Sequence, residues 1–270
     1  MAGMRETLTW LFFDHFRDYG DWPWQHVNSP WNQFSEHPSF LCIEFAIIAL
    51  AFVSLAHAVT SDSSGKRRLG LLWVASFVAG TMNDYIFMLL PVVDNFWQAQ
   101  AVFMLTPRMP VYIPCMYNAF MHWPCVAAAR VFRGRDRCRM SEACLAGVLA
   151  GIFYAPYDLC GARFLWWTWH ESDAGVRLRW LGVPAGSTAW TITFTASFSF
   201  LLRVAADTGC GRLRSLALCC WSTPLMMVLL NVFCVPAADP IGMPGPRTVG
   251  LALATLAAAV LHRLARKPEF

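Results

Sequence analysis

Long apolar runs alternate along this chain with four short stretches that are rich in Arg and Lys. Fourteen of the 21 Lys and Arg residues fall in these stretches, which cover residues 66–68, 130–139, 203–214 and 263–267. Short cytoplasmic loops of membrane proteins carry an excess of Lys and Arg. If every basic stretch faces the cytoplasm, the chain crosses a bilayer seven times, with its N-terminus outside and its C-terminus in the cytoplasm.

The composition indicates a membrane protein before any single segment is considered. Hydrophobic residues make up 57% of the chain, charged residues make up 14%, and the mean hydropathy is +0.43. These values lie far from those of a soluble globular domain. The net charge of +4 arises in loop stretches that the same topology rule explains, so we expect no nucleic-acid partner. We expect a multi-pass integral membrane protein, in a membrane that the sequence does not specify.

Seven apolar segments are long enough to cross a hydrocarbon layer of about 30 Å at about 1.5 Å per residue. The predicted fold is all-α, a polytopic bundle of seven transmembrane helices at residues 40–60, 69–92, 109–130, 142–160, 187–206, 213–235 and 247–264. A Trp-rich extracytoplasmic segment, 1–39, precedes this 40–264 domain, and a short basic cytoplasmic tail, 265–270, follows it. Residues 94–108 lie between two prolines and suit an interfacial or re-entrant helix better than a full crossing.

Apart from Glu142 at the start of the fourth predicted span, three carboxyl groups lie inside the predicted spans, where water is scarce. They belong to Glu44, Asp84 and Asp158. An ionisable side chain in a span costs on the order of 2.5 to 3.5 kcal/mol, so such residues usually face a cavity or a partner. Asp84 follows Asn83 and lies about 12 Å below the outer boundary, whereas Glu44 lies about 6 Å below it. An unpaired carboxyl group at such a depth can donate a proton as a general acid.

Polar side chains concentrate in the outer half of the predicted bundle once the direction of each span is taken into account. The inner half contributes much less, chiefly His57, His122 and Thr223. This asymmetry predicts an outward-opening polar and aromatic cavity. The alternative is that these groups satisfy one another as interhelical hydrogen bonds, each worth about 0.6 kcal/mol. The candidate binding residues in the outer half are Asn83, Tyr112, Asn118, Tyr154, Tyr157, Trp190 and Asn231.

A dense tryptophan cluster, WWTWH, occupies residues 166–170. Tryptophan is common at membrane interfaces, where its amphipathic ring lies at the level of the headgroups. The cluster is denser than an interfacial belt requires, so Trp167 and Trp169 are also candidates for the floor or lid of a cavity that holds an apolar ligand. The sequence leaves both interpretations open.

His122 lies four residues after Asn118, which places both side chains on one helix face. It is a candidate for proton relay or ligand binding, and the alternative is a packing role with a hydrogen bond to a neighbouring helix. The seven histidines show no HxxH, HxxxH or HExxH spacing, so we expect no metal. Neither a GxSxG turn nor a phosphate-binding glycine loop occurs, and we expect no cofactor.

Seven crossings with an outer N-terminus also suggest rhodopsins and other seven-helix receptors. A retinal protein needs a lysine in its last span for the Schiff base, whereas Lys66 and Lys267 are the two lysines here and both lie in basic flanks. Retinal binding is therefore not expected. The number of crossings alone says little about function.

Two stretches, MPVYIPCMYNAFMHW at 109–123 and YAPYDLCGARFLWWTWHESDAGVRLRWLGVPAGSTAW at 154–190, resemble the carotenoid hydratases of bacteria and archaea. The resemblance covers about 80 residues. Its pattern is a Pro-rich span ending near a Trp, an Asp before a Trp-x-Trp cluster, and Gly-Val-Pro followed by another Trp. This chain has Gly-Ser-Thr at 186–188, where that family tends to have Asn. The resemblance implies a polyisoprenoid or lipid substrate, and the matching positions are Asp158, Trp167, Trp169, Gly182, Val183, Pro184 and Trp190.

Two functions of different classes follow from these residues. In the first, the protein is a cofactor-free membrane enzyme that hydrates or isomerises a lipidic alkene. Asp84 or Glu44 would be the acid, a neighbouring carboxylate such as Asp158 would orient water, and aromatic faces would stabilise the carbocation. In the second, the protein is a receptor or transporter without retinal, and the same cavity binds its ligand. In both cases the expected partner is a membrane lipid or a lipidic small molecule, and the oligomeric state is left open.

Overall fold

The computed structural model describes residues 26–234, except for 62, 90–95, 107, 133–137 and 170–178. The described chain is mostly helical, which confirms the prediction of an all-α protein. The predicted seventh span, the basic tail and the first 25 residues of the Trp-rich segment lie outside the described residues. The helices are α1 Pro30–Glu36, α2 Pro38–Thr60, α3 Ser63–Leu89, α4 Tyr112–Val131, α5 Arg139–Arg163, α6 Ala185–Asp207, α7 Arg212–Cys220 and α8 Ser222–Cys234.

Three of the described helices are long and apolar enough to cross a membrane. They cover Pro38–Thr60, Arg139–Arg163 and Gly186–Asp207, with mean hydropathies of 2.3, 1.5 and 1.3 over their most apolar windows. Helices α3 and α4 have 27 and 20 residues and are not among these three. The structure therefore supports a membrane protein with three clear candidate spans.

The segment predicted as the sixth span, 213–235, is two helices in the structure. Helix α7 ends at Cys220 and α8 begins at Ser222, with Trp221 between them. Pro224 lies in the first turn of α8, where its missing N–H costs nothing, but a proline there disfavours continuation of the preceding helix. The prediction of one continuous helix was therefore wrong at this point.

Residues 96–106 are extended rather than helical, so the prediction of an interfacial or re-entrant helix at 94–108 was wrong for the described part. Strand β2, Phe96–Gln98, pairs with the later strand β4, Trp167–Trp169, and β3, Phe103–Met104, pairs with β1, His26–Val27. A third short ribbon joins β5, Arg179–Trp180, to β6, Val183–Pro184. In these strand pairs, backbone N–H and C=O groups bond to residues far away in the sequence, which local hydropathy does not reveal.

Helices α5 and α6 approach each other closely because glycines replace side chains at their contact. A Cβ atom at Gly147 would lie 2.5 Å from the carbonyl oxygen of Ile192, and one at Gly151 would lie 2.5 Å from Ile192 Cγ1. Small residues of this kind let helix backbones pack tightly in membranes. This contact fixes α6 against α5 and positions the residues of both helices that face the interior.

We expect Gly147→Ala to destabilise the protein, although alanine is the better helix former. The new Cβ would press on backbone, and such overpacking costs about 1 to 3 kcal/mol, which exceeds the helix-propensity gain of about 1 kcal/mol. Gly70→Ala on α3 is the control, because no atom lies within 4 Å of its Cβ position. In thermal unfolding in detergent, the midpoint temperature should fall for Gly147→Ala and stay near the wild-type value for Gly70→Ala. Equal midpoints for the two variants would contradict the close packing.

Candidate functional site

An internal cavity of about 100 Å³ lies among α3, α4, α5, α6, α8 and the β2–β4 ribbon. An engineered cavity of roughly 150 Å³ is known to hold benzene, so this space suits a ligand group of similar or slightly smaller size. We call it the aromatic cavity. Its walls are mostly apolar and include seven of the residues predicted from the sequence: Asn83, Asp84, Tyr154, Tyr157, Trp167, Trp169 and Trp190.

Asp84 lies on α3 at the cavity wall, and its side chain is buried. The hydroxyl of Tyr117, on α4, donates a short hydrogen bond to Asp84 Oδ1. Gly80 makes this possible, because a Cβ atom there would lie 2.0 Å from Tyr117 Cγ. Gly80 and Asp84 are one turn apart on the same helix face, so the Tyr117 ring lies over the glycine while its hydroxyl reaches the carboxyl group.

A chain of hydrogen bonds runs from α8 to Asp84. The Thr223 hydroxyl donates to Asn83 Oδ1 at 2.9 Å, and Asn83 Nδ2 donates to the Tyr117 hydroxyl oxygen at 3.0 Å. Tyr117 then donates to Asp84. Every donor in this chain points toward the carboxyl group, which fixes Asp84 Oδ1 as an acceptor. Thr223 was predicted in the opposite half of the bundle, but the structure joins it to Asn83.

A second buried carboxyl group borders the same cavity. Asp158, on α5, accepts a hydrogen bond of 2.6 Å from the Ser187 hydroxyl, and Ser187 lines the cavity. Asp158 is 2% exposed. Among the residues that the structure describes, its Oδ1 has no hydrogen-bond partner. A buried oxygen of this kind normally has a partner, so Asp158 Oδ1 is a position where water or a ligand would bind.

Trp167 and Trp169 belong to the cavity wall rather than to an exposed belt. Both side chains are buried, at 5% and 9% exposure, and the antiparallel ladder of β4 with β2 holds their backbone. The Trp167 ring lies 5.0 Å from that of Tyr157 and edge-on to Trp169 at 6.0 Å. It also packs on Gly161, where a Cβ atom would lie 2.0 Å from its Cη2. The structure thus favours the interpretation as a cavity floor or lid.

Phe87 and Trp190 form another part of the wall. Their rings are stacked at a centroid distance of 5.4 Å, and both line the cavity. With Trp167 and Trp169, several aromatic faces surround the space near Asp84. Such faces attract positive charge, and the attraction is strongest where water is excluded.

Two predicted binding residues lie behind the wall rather than in it. Tyr112 is fully buried and donates a hydrogen bond of 2.5 Å to Gln98 Oε1, and Gln98 lines the cavity. Asn118 Oδ1 accepts a hydrogen bond of 2.7 Å from Ser76, which joins α4 to α3. The interpretation of Asn118 as an interhelical packing group is therefore the better one. The side chain of Asn231 lies outside the described residues.

Glu44, predicted as a possible acid, has a different environment. Its carboxylate is fully buried and accepts hydrogen bonds from two backbone N–H groups, those of Val102 and Phe103, each at 2.9 Å. Glu44 does not line the aromatic cavity. It anchors the extended segment before α4 to α2, and its role in the structure is to satisfy that backbone.

His122, predicted as a proton relay or a ligand-binding group, also lies away from the aromatic cavity. Its Nε2 is 2.9 Å from Nδ1 of His57 on α2. The Trp123 ring packs on both imidazoles, with centroid distances of 5.0 Å. This arrangement matches the packing alternative, a pair formed by the buried His122 and the half-buried His57 that joins α4 to α2.

Tyr117, Gln98 and Ser187 also line the cavity, and the sequence did not predict them. A signal existed for Ser187, which lies in the Gly-Ser-Thr that departs from the hydratase pattern. Tyr117 precedes Asn118 on an apolar helix, and nothing in the sequence indicates which of the two faces Asp84. Within the described part of the chain, no cluster of three or more His, Cys, Asp or Glu side chains is arranged to hold a metal ion.

The model of a family described as a domain of unknown function (DUF7802) matches residues 15–208. This range covers α1 to α6 and so contains both carboxyl groups and the tryptophans of the aromatic cavity. No curated protein matches the chain, and no solved structure matches it.

Proposed function

We propose that this chain, which belongs to the DUF7802 family of unknown function, is a cofactor-free membrane enzyme. In this proposal the aromatic cavity is the active site, and the enzyme hydrates or isomerises a carbon–carbon double bond of an isoprenoid lipid. The observation that carries the proposal is the arrangement of two buried carboxyl groups around one small aromatic space. Asp84 lines that space, and Asp158 borders it through Ser187. Paired carboxyl groups can divide the roles of acid and base.

In the proposed reaction, Asp84 gives its proton to one carbon of the alkene. The Tyr117 hydroxyl donates to Oδ1, so the acidic proton resides on Oδ2. Protonation leaves a carbocation on the other carbon, and the surrounding rings stabilise it by about 1 to 2 kcal/mol each when dry. Asp84 is then a carboxylate.

Asp158, as a carboxylate, removes a proton from water held at its unpartnered Oδ1, and the water oxygen adds to the carbocation. The product is an alcohol, Asp158 is protonated and Asp84 is ionised. Proton exchange through water restores the starting state. If a carboxylate instead removes a proton from the carbon next to the cation, the product is an isomerised alkene.

The size of the cavity limits the substrate. About 100 Å³ accommodates roughly one terminal isoprene unit, which is similar in size to benzene. The rest of a long isoprenoid would lie between helices or in the bilayer. The proposed reaction therefore takes place at the end of the isoprenoid, in agreement with the resemblance to carotenoid hydratases.

Mass spectrometry of the purified protein tests this proposal. We expect a co-purifying isoprenoid lipid, and incubation in heavy-oxygen water should give a product that is heavier by one water and retains the label. An isomerase would give a product of unchanged mass with a shifted double bond. Recovery of isoprenoid without either product over long incubation would contradict the enzymatic proposal.

The proposal includes seven crossings with an extracytoplasmic N-terminus. It is supported by the three apolar helices and by the basic stretches at alternate ends of the apolar segments. We expect a glycosylation tag before residue 26 to be modified in a eukaryotic secretory membrane, and the same tag within 133–137 to remain unmodified. A gel shift measures both, and modification of the second tag would contradict the orientation.

A ligand-binding or transport function is the alternative, and one observation favours it. The same bundle has a second, larger and more open cavity of about 810 Å³, lined by α2 to α7. It uses residues 67–72 of α3, whereas the aromatic cavity uses residues 83–87 of the same helix. In a transporter, cavities toward the two ends of one bundle would be the openings that expose a site to each side in turn. Flux of the co-purifying lipid across vesicles, without chemical change, would support this alternative.

A further inference from the structure

The second cavity is lined by arginines as well as by apolar residues, and we call it the basic cavity. Its arginines come from four helices: Arg67 and Arg68 from α3, Arg130 from α4, Arg203 from α6 and Arg212 from α7. One acidic residue, Glu142 of α5, also lines it. These residues lie far apart in sequence, and only the packing of the bundle brings them to one space.

The charges at this cavity do not balance among the described residues. Five arginines and one carboxylate line it, which leaves a formal excess of four positive charges. Asp207 lies at its edge and binds Arg203 at 3.2 Å and Arg139 at 2.8 Å. Adding Asp207 and Arg139 leaves the excess unchanged, because their charges cancel. Glu142 lies 3.9 Å from Arg68, a long ion pair.

The topology rule explains why basic residues occur at this end of the helices but not why they surround a cavity. The Arg203 side chain is only 14% exposed, and it shares its anionic partner Asp207 with Arg139, so one carboxylate serves two guanidinium groups where burial makes charge costly. The cations of the described lining are guanidinium groups, which suit phosphate because they bind two of its oxygens at once. Basic pockets between membrane helices are typical binding sites for phosphorylated headgroups.

We propose that the basic cavity binds a ligand with a phosphate group, which Arg130, Arg203 and Arg212 hold between α4, α6 and α7. Leucines of the lining, such as Leu72 and Leu202, would contact an apolar part of the ligand. A volume of about 810 Å³ lies within the usual range for small-molecule sites. This site is separate from the aromatic cavity and does not depend on the function proposed for it.

The phosphate can belong to a lipid headgroup or to a soluble molecule, and two probes distinguish these sources. The full-length protein in detergent is titrated with phosphatidic acid, with phosphatidylcholine as the neutral-headgroup control, and separately with inorganic pyrophosphate. Native mass spectrometry counts bound lipid, and thermal unfolding reports pyrophosphate. Binding of phosphatidic acid alone identifies a lipid headgroup site, and a shift with pyrophosphate identifies a site for soluble phosphates. Each result supports the proposal.

Variants locate the site. We expect Arg130→Gln and Arg212→Gln each to weaken binding about fivefold, and together about 25-fold, because each arginine contributes one phosphate contact. Arg212 is exposed, so its variant should fold normally, and Arg130→Lys should retain part of the affinity through its charge. Arg163→Gln is the matched control, an exposed arginine at the end of α5 that is not in the cavity lining.

Two outcomes would overturn the proposal. One is that neither phosphatidic acid nor pyrophosphate binds the wild-type protein more tightly than the double variant. The other is that Arg163→Gln weakens binding as much as Arg130→Gln, which would indicate attraction to net charge rather than a site. Binding that falls steeply with salt for wild type but not for the double variant would support the arginine contacts.

Discussion

Asp84→Asn should reduce turnover of the isoprenoid substrate by about 100-fold to 10,000-fold, which is the usual contribution of a general acid. The asparagine has the shape of aspartic acid, and its Oδ1 can still accept the hydrogen bond from Tyr117. It cannot release a proton to an alkene. The melting temperature and the amount of co-purifying lipid should stay close to those of the wild-type protein, while the labelled product disappears.

Tyr117→Phe is the matched control for this prediction. It removes the hydroxyl group that orients Asp84 but leaves the acid in place, so turnover should fall less than in Asp84→Asn. It also deprives Asn83 Nδ2 of the nearer of its two acceptors and leaves Asp84 Oδ1 at 3.5 Å, so a modest loss of stability is expected. Full turnover in Asp84→Asn would show that Asp84 is not the acid. A transporter would instead keep its ligand unchanged in both variants.

The helices of the central region could be predicted well from apolar segments alone. The first predicted span, 40–60, corresponds to Pro38–Thr60, and the fifth, 187–206, corresponds to Ala185–Asp207. Such runs specify length and approximate ends because a helix adds about 1.5 Å per residue. They carry no information on a break such as that at Trp221, where a proline in the next turn matters more than hydropathy.

That several of the site residues would lie at similar positions along neighbouring helices was also predictable, but their rotation about each helix was not. Asn83, Asp84 and Tyr157 meet at one cavity, as the directions of the predicted spans imply. Tyr117 and Asn118 are neighbours on α4, and only the first faces Asp84. A helix that is apolar on most sides has no polar face to indicate its orientation. The packing of the Tyr117 ring on Gly80 therefore sets the rotation of α4.

Glu44 shows a further limit of sequence reasoning. Its depth within a span indicated a functional carboxyl group, but its partners are backbone N–H groups about 58 residues later in a segment predicted to be helical. A helix would have satisfied those groups internally. Because residues 102 and 103 are extended instead, an acceptor had to come from elsewhere, and Glu44 provides it.

Glu44→Gln should therefore destabilise the protein strongly and leave the chemistry intact. The amide places a donor against one of the two backbone N–H groups, and the other hydrogen bond loses its charge. Losing hydrogen bonds to a buried charged group costs roughly 1.5 to 3 kcal/mol for each bond, so we expect a loss of about 2 to 4 kcal/mol. Thermal or denaturant unfolding in detergent measures this change.

Glu36→Gln is the matched control, because Glu36 is exposed at the end of α1 and its substitution should leave stability within about 0.5 kcal/mol. Turnover per folded molecule should stay near the wild-type value in Glu44→Gln, since Asp84 and Asp158 are untouched. Glu44→Gln and Asp84→Asn together distinguish the roles of the two carboxyl groups. The first variant should lose stability, and the second should lose turnover. The reverse result for Glu44, unchanged stability with lost turnover, would instead assign it the catalytic role that its depth in the span suggested.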